Sequence, residues 1–199
     1  MTLILFFLGA FMTGSIPNAY LAGRLLKKID IREHGSGNVG ATNVFRVLGR
    51  GPGLAVFFLD FIKGALPVLA YLAAFSQFEP HRDLMALLVG LFAVLGHMFT
   101  PFLGFKGGKG VATGSGVICA TLPILFLVTL TVWLVTFFLS RIVSLSSILA
   151  VFALFIGGLI TPPHSQEVRL VLLGMFILLL WSHRSNIKKL IEGREHRWS

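Results

Sequence analysis

The 199-residue sequence predicts an all-α integral membrane protein with seven transmembrane helices, its amino terminus outside and its carboxyl terminus in the cytoplasm. Hydrophobic residues make up 55% of the chain and charged residues only 13%, about half the charge of an average soluble domain. Mean hydropathy is +0.86. The basic residues behind the net charge of +9 sit in short stretches between apolar runs. That distribution fits positive-inside topology and anionic lipid or substrate, and argues against nucleic acid. A single domain over 1–199 is expected. The one cysteine, Cys119, lies in apolar context, which leaves no intramolecular disulfide and no Cys-based metal site.

The first span is expected at about 3–25, long enough for a hydrocarbon core of about 30 Å. Its start lacks the basic flank and small-residue cleavage site of a signal peptide, so it reads as a retained helix. Pro17 kinks it, and Asn18 is a polar group that needs a partner at depth. No charge precedes Arg24, whereas Arg24, Lys27, Lys28 and Arg32 follow quickly, which puts the next loop inside. That loop, from Asp30 to Arg46, is rich in Gly, Ser, Asn and Thr. Ser36 or Asn38 would cap the helix it leads into, and a helix N-terminus is itself an anion site.

A second span is expected at about 53–75. Asp60 and Lys63 are i, i+3 neighbours on one of its faces, paired with each other and contributing to a site. A short outer loop from Ser76 to Asp83 leads to a third span at about 84–99, with His97 near its cytoplasmic end. Directly after it comes Gly104-Phe105-Lys106-Gly107-Gly108-Lys109-Gly110-Val111-Ala112-Thr113. Here glycines let the backbone approach a ligand and aim N–H groups at it, and lysines add mobile cationic donors. Two readings stand side by side: an anion cradle at a membrane surface, or a positive-inside loop with glycine turns.

Two obvious apolar runs follow, at about 122–139 and 142–160, then a nearly uncharged loop from Thr161 to Val168 and a final span at about 169–181. Those runs alone would leave the basic tail outside. A third, shorter crossing at about 111–120 repairs the parity and keeps Arg141 inside. Fourteen of the 17 lysines and arginines are then cytoplasmic, Arg82 and Arg169 are outside, and Lys63 is within a helix. The short crossing needs a buried or locally thinned environment, and Gly110, Gly114 and Gly116 would let it pack closely. A six-crossing arrangement leaves the tail unexplained. The chain ends in Ser182-His183-Arg184-Ser185-Asn186-Ile187-Lys188-Lys189, with Trp181 at the interface and the lysines as basic anchors.

Three Gly/Ser/Asn/Lys/Arg/His clusters on one membrane face suggest one composite site for phosphorylated ligands. The nearby acids, Asp30, Glu33 and Asp60, are too few for a divalent metal cage, and neither a metal nor a cofactor is expected. Lys109 is followed by Gly110 and not by Ser or Thr, so the loop is no Walker A motif. There is no G-x-S-x-G elbow.

Gly35-Ser36-Gly37-Asn38 with Gly40-Ala41-Thr42-Asn43, then Gly104 to Thr113, then His183-Arg184-x-Asn186 resemble the three cytoplasmic motifs of the bacterial membrane glycerol-3-phosphate acyltransferases that use acyl phosphate. Ser15-Ile16-Pro17, Asp60-x-x-Lys63-Gly64 and Gly96-His97 match as well, so the likeness covers essentially the whole chain. A lysine pair replaces the arginine often found after the third motif. The resemblance implies a seven-helix fold and transfer of a fatty acyl group from acyl phosphate to the 1-hydroxyl of glycerol 3-phosphate. The products would be 1-acylglycerol 3-phosphate and phosphate, in the first acylation of phospholipid synthesis at the bacterial plasma membrane. Partners would be the two substrates and membrane lipid.

An acyl phosphate is already activated, so such a site has to orient two anions and stabilise developing oxyanion charge. In that scheme Ser36, Asn38, Lys106 and His183 are the catalytic candidates. Ser36, Asn38, Thr42 and Asn43 supply neutral donors, Arg46 and Lys106 clamp phosphate, and Gly107, Gly108 and Gly110 bring N–H groups close. His183 and Asn186 orient the acceptor. Gly37, Gly40, Lys63, His97, Lys109, Thr113 and Arg184 complete the expected binding residues. His183 either takes the hydroxyl proton or positions substrate while the donor phosphate takes it. The rival from another class is a transporter for a phosphorylated solute, which would need a polar path to outer loops that offer few binding groups.

Overall fold

The computed structural model describes residues 2–75, 81–161 and 165–198, all of its regular structure helical. Part of the expected outer loop (76–80) and of the last loop (162–164) lies outside the described residues. Five helical segments are long and apolar enough to cross a membrane: Thr2–Lys27, Arg50–Ala74, Arg82–Leu103, Pro123–Ser140 and Val143–Ile160. A bent pair, Gln166–Ser182 with Arg184–Ile191, brings the number to six, and Val111–Thr121 is a shorter apolar helix. The chain packs as two compact units, residues 1–121 and 122–199.

In the first unit, the first span is two helices, α1 (Thr2–Gly14) and α2 (Asn18–Lys27), where one kinked helix was expected. Pro17 has no N–H to continue the ladder. A short amphipathic helix, α3 (Ala41–Leu48), follows the first loop, then α4 (Arg50–Ala74), α5 (Arg82–Met98) and α6 (Val111–Thr121). The pattern is inverted relative to a soluble domain: Leu5, Phe58, Leu59, Ile62 and Leu66 are exposed, while Ser15, Asp60, Lys63, His97 and Thr100 are buried. Lipid is the solvent that suits such a surface, and it drives polar groups inward.

Lipid tails give no hydrophobic push between helices, so close contact depends on small residues. Two helix pairs use glycines reciprocally. On α1 and α5, a Cβ at Gly14 would strike the Ala93 carbonyl and one at Gly96 the Phe11 carbonyl. On α4 and α6, Gly64 faces the Thr113 carbonyl and Gly116 the Phe61 carbonyl in the same way. Gly116 thus meets the sequence expectation. Gly114 does not, because a Cβ there would sit 3.9 Å from Val94 with ordinary room. Gly64→Ala is therefore expected to cost about 2 kcal/mol by overpacking, seen as a fall of roughly 5 °C in the melting temperature in detergent. Gly114→Ala is the control, and equal shifts in the two variants would contradict the packing account.

The second unit holds α7 (Pro123–Ser140), α8 (Val143–Ile160), α9 (Gln166–Ser182) and α10 (Arg184–Ile191). Its core comes from Leu125, Ala150, Leu154, Leu172, Met175 and Leu179. The α9–α10 corner bends by 59° at His183.

Candidate functional site

The break between α1 and α2 frees backbone carbonyls inside an apolar protein, where an unpaired carbonyl is costly. Two buried side chains satisfy them. Lys63 Nζ donates to the Ile16 carbonyl at 2.7 Å, and Thr100 Oγ1 donates to the Ser15 carbonyl at 2.7 Å. Lys63 Nζ is also 2.8 Å from Asp60 Oδ1, and Asn18 Nδ2 donates to that same oxygen at 2.9 Å. Asn18 thus has the partner its depth demanded. The expected Asp60–Lys63 pair is present, but Lys63 is only 4% exposed and its ammonium is committed to protein oxygens. Lys63 accordingly holds the broken span. His97 Nδ1 lies 3.8 Å from Asp60 Oδ1, beyond hydrogen-bond reach but close to the charge.

The first loop is wired from within. Asp30 accepts from the Arg32 backbone N–H at 3.0 Å and from the Arg32 guanidinium at 2.7 Å, with Arg24 at 3.3 Å. The hydrogen bonds from Arg32 outweigh partial burial and hold the Asp30 carboxyl down at about 2. A depressed carboxylate contributes stability that is complete above pH 4 and lost as pH falls through 2. Amide exchange over 31–37, corrected for intrinsic rate, is expected to rise across that window; Asp30→Asn should show the rise already at pH 5.

Asn43 is fully buried. Its Oδ1 accepts from the Ser36 N–H at 2.8 Å, and its Nδ2 donates to the carbonyls of Ile31 at 3.1 Å and His34 at 3.0 Å. The amide thus folds the loop from within. Nor does Ser36 or Asn38 cap the following helix: α3 starts after Gly40 with no side-chain cap. Ser36 is exposed, while Gly37, Asn38, Gly40, Thr42 and Arg46 are half-buried.

The 104–110 loop folds back over the end of α5. The N–H of Gly107 donates to the Met98 carbonyl at 3.0 Å and that of Gly108 to the His97 carbonyl at 3.1 Å. Those two N–H groups close the helix end. The glycines serve close approach. A Cβ at Gly108 would collide with His97 Nε2 and crowd the Val39 carbonyl at 2.5 Å, so this residue is where the first two motif loops meet. Leu103 joins the same apolar cluster as Ile31, Val39 and Val44, which seals the junction beneath. Gly110 takes φ +84° at the entry to α6, a conformation disfavoured for residues with a Cβ. Lys106 is exposed and Lys109 half-buried. Thr113 is completely buried within α6.

In the second unit, His183 is 3% exposed at the α9–α10 corner. Its Nδ1 lies 2.8 Å from the Leu179 carbonyl, which can only accept. The neutral ring therefore carries its hydrogen on Nδ1 and leaves Nε2 as the acceptor nitrogen. Arg184 stacks 4.2 Å from the Trp181 ring and donates to the Trp181 carbonyl at 3.0 Å. Asn186 Nδ2 donates at 2.8 Å to Glu195 Oε1, which also accepts from Ser144 at 2.9 Å. Thr100, Ser144 and Glu195 were not singled out by sequence, because none stands in a motif that marks its partner.

Comparison with known proteins places these features in context. A family model described as "Glycerol-3-phosphate acyltransferase" matches residues 4–193. The glycerol-3-phosphate acyltransferase of Staphylococcus carnosus is 42% identical over 98% of this chain and 97% of its own. That of Chlorobium luteolum is 39% identical over 99% and 97%. The crystal structure of PlsY, an integral membrane glycerol 3-phosphate acyltransferase, in its glycerol 3-phosphate form superposes with a TM-score of 0.92 at 40% identity, over 100% of this chain and 96% of that one. Its lysophosphatidic acid form gives a TM-score of 0.89 with the same identity and coverage.

Proposed function

We propose, from the premise that the chain belongs to the glycerol-3-phosphate acyltransferase family, that acyl phosphate is the donor it uses. The chain is a multi-pass membrane acyltransferase acting on glycerol 3-phosphate in phospholipid biosynthesis. In the proposed reaction the 1-hydroxyl oxygen attacks the acyl carbon, the bond from that carbon to the phosphate oxygen breaks, and inorganic phosphate leaves. The product is 1-acylglycerol 3-phosphate. The hydroxyl proton goes to His183 Nε2 or directly to the departing phosphate.

The observation that carries the site assignment is Gly108. Only a residue without a side chain fits between the Val39 carbonyl and the His97 ring, and its presence joins the two glycine-rich loops with Lys106 exposed beside them. Two phosphorylated substrates need several cations and neutral donors held in fixed places, because positioning and charge stabilisation do most of the work on an activated donor. We assign Lys106 and Arg46 to phosphate, Ser36, Asn38 and Thr42 to neutral donation, and Lys109 to the local positive field. His183, Arg184 and Asn186 are assigned to the acceptor on motif likeness. His97 serves the loop it abuts. The seven-crossing arrangement, with the amino terminus outside and this chemistry on the cytoplasmic face of the bacterial plasma membrane, is part of the same proposal. It rests on the asymmetry of the basic residues.

Purified protein incubated with palmitoyl phosphate and glycerol 3-phosphate is expected to yield lysophosphatidic acid and phosphate, with palmitoyl-CoA giving none. Turnover with palmitoyl-CoA alone would overturn the donor assignment. Glycerol-phosphate flux into liposomes without turnover would favour a transporter.

A further inference from the structure

Thr100 sits at the base of the 104–110 loop, 2% exposed, and holds two structures at once. Its hydroxyl reaches the Ser15 carbonyl at the break in the first span, 85 residues earlier. Its own carbonyl accepts from the N–H of Leu103 at 3.3 Å and of Phe105 at 2.9 Å. Gly104 has φ +64° and Phe105 φ +60°. Two successive left-handed residues reverse the chain, and the second is an exposed aromatic in a conformation such a residue seldom adopts. Strained backbone of this kind persists only where its surroundings over-determine it. Here the bond to Thr100 holds the near side of Lys106, and the bonds from Gly107 and Gly108 to the end of α5 hold the far side.

We propose that Thr100 is a positioning residue for acyl transfer: anchored to Ser15 and bonded to Phe105, it sets the direction in which Lys106 presents its ammonium to a substrate phosphate. The proposal rests on the reading of Lys106 as a phosphate holder. Removing the hydroxyl leaves the Ser15 carbonyl without its buried donor and frees the turn to shift. The expected signature is weaker binding of one phosphorylated substrate, with the chemical step retained.

The test compares Thr100→Val, Thr100→Ser and Lys106→Ala in the purified full-length chain, with palmitoyl phosphate and glycerol 3-phosphate varied in turn. Lys106→Ala is expected to raise KM for one of the two. Thr100→Val should raise KM for that same substrate by about fivefold to tenfold, the scale of one lost buried hydrogen bond, with kcat within about twofold. Thr100→Ser keeps the hydroxyl and should stay within about twofold of wild type in both constants. Should the valine variant misfold, Thr100→Ala removes the same group without branched bulk, and a melting curve shows which variant is folded. Unchanged KM in Thr100→Val beside an impaired Lys106→Ala overturns this proposal alone, as does an equal rise for both substrates. Wild-type KM for both substrates in Lys106→Ala overturns the phosphate-holder reading and this proposal with it.

Discussion

Replacing His183 by alanine is expected to lower kcat for acyl transfer by at least about a hundredfold, the range of a positioned proton-transfer group, in a variant whose melting curve still shows a cooperative transition. The ring is buried at the α9–α10 corner, and its Nδ1–H is fixed on the Leu179 carbonyl. That bond determines the tautomer and makes Nε2 the acceptor nitrogen of the ring. The companion variant, His183→Gln, separates the two roles open to the residue. Glutamine retains an acceptor for positioning and cannot carry the proton away. Activity of His183→Gln within about tenfold of wild type assigns the proton to the departing phosphate, whereas a loss equal to that of alanine assigns it to His183. Near-normal turnover of His183→Ala itself removes the residue from the reaction.

Asp60→Ala is expected to carry the largest stability effect in the chain, about 3–5 kcal/mol, or roughly 10 °C in detergent. It leaves the Lys63 ammonium, 4% exposed, without its counter-charge, and takes the acceptor from Asn18. Breaking one half of a buried pair is much worse than removing both halves. Asp60→Leu with Lys63→Met is therefore expected to recover at least about half of the loss, although the Ile16 carbonyl then keeps only the Asn18 N–H as donor. Melting curves of Asp60→Leu, Lys63→Met and the double variant decide this. Additive losses would mean that the pair is not coupled.

The spans were legible because hydropathy over about 20 residues is a strong signal. Even the short helix at Val111–Thr121 followed from counting charges, and it begins at the residue the sequence indicated. What the sequence could not show was wiring between distant segments. Asn18 meets Asp60 across 42 positions and Thr100 meets Ser15 across 85, and nothing local marks either contact. The bonds of Asn43 and Lys63 within the fold were hidden in the same way. A polar side chain in a glycine-rich loop or an apolar span can face a ligand or its own fold, and composition is identical in both cases. Two short amphipathic helices, Ala41–Leu48 and Arg184–Ile191, also escaped notice, since eight residues give too brief a pattern against loop-like composition.

The i, i+3 arrangement of Asp60 and Lys63 bears on how the chain enters the bilayer during synthesis. Two charges on one helix face can neutralise each other as soon as that helix forms. The segment Arg50–Ala74 thus holds its own counter-ion within one helix, independently of contacts with the first or third span. Asn18 and His97 belong to other helices and reach Asp60 only in the packed structure. Separating the pair along the chain, with the aspartate moved to another span, would keep the finished cluster neutral. Each helix would then have to pass into lipid with a bare charge.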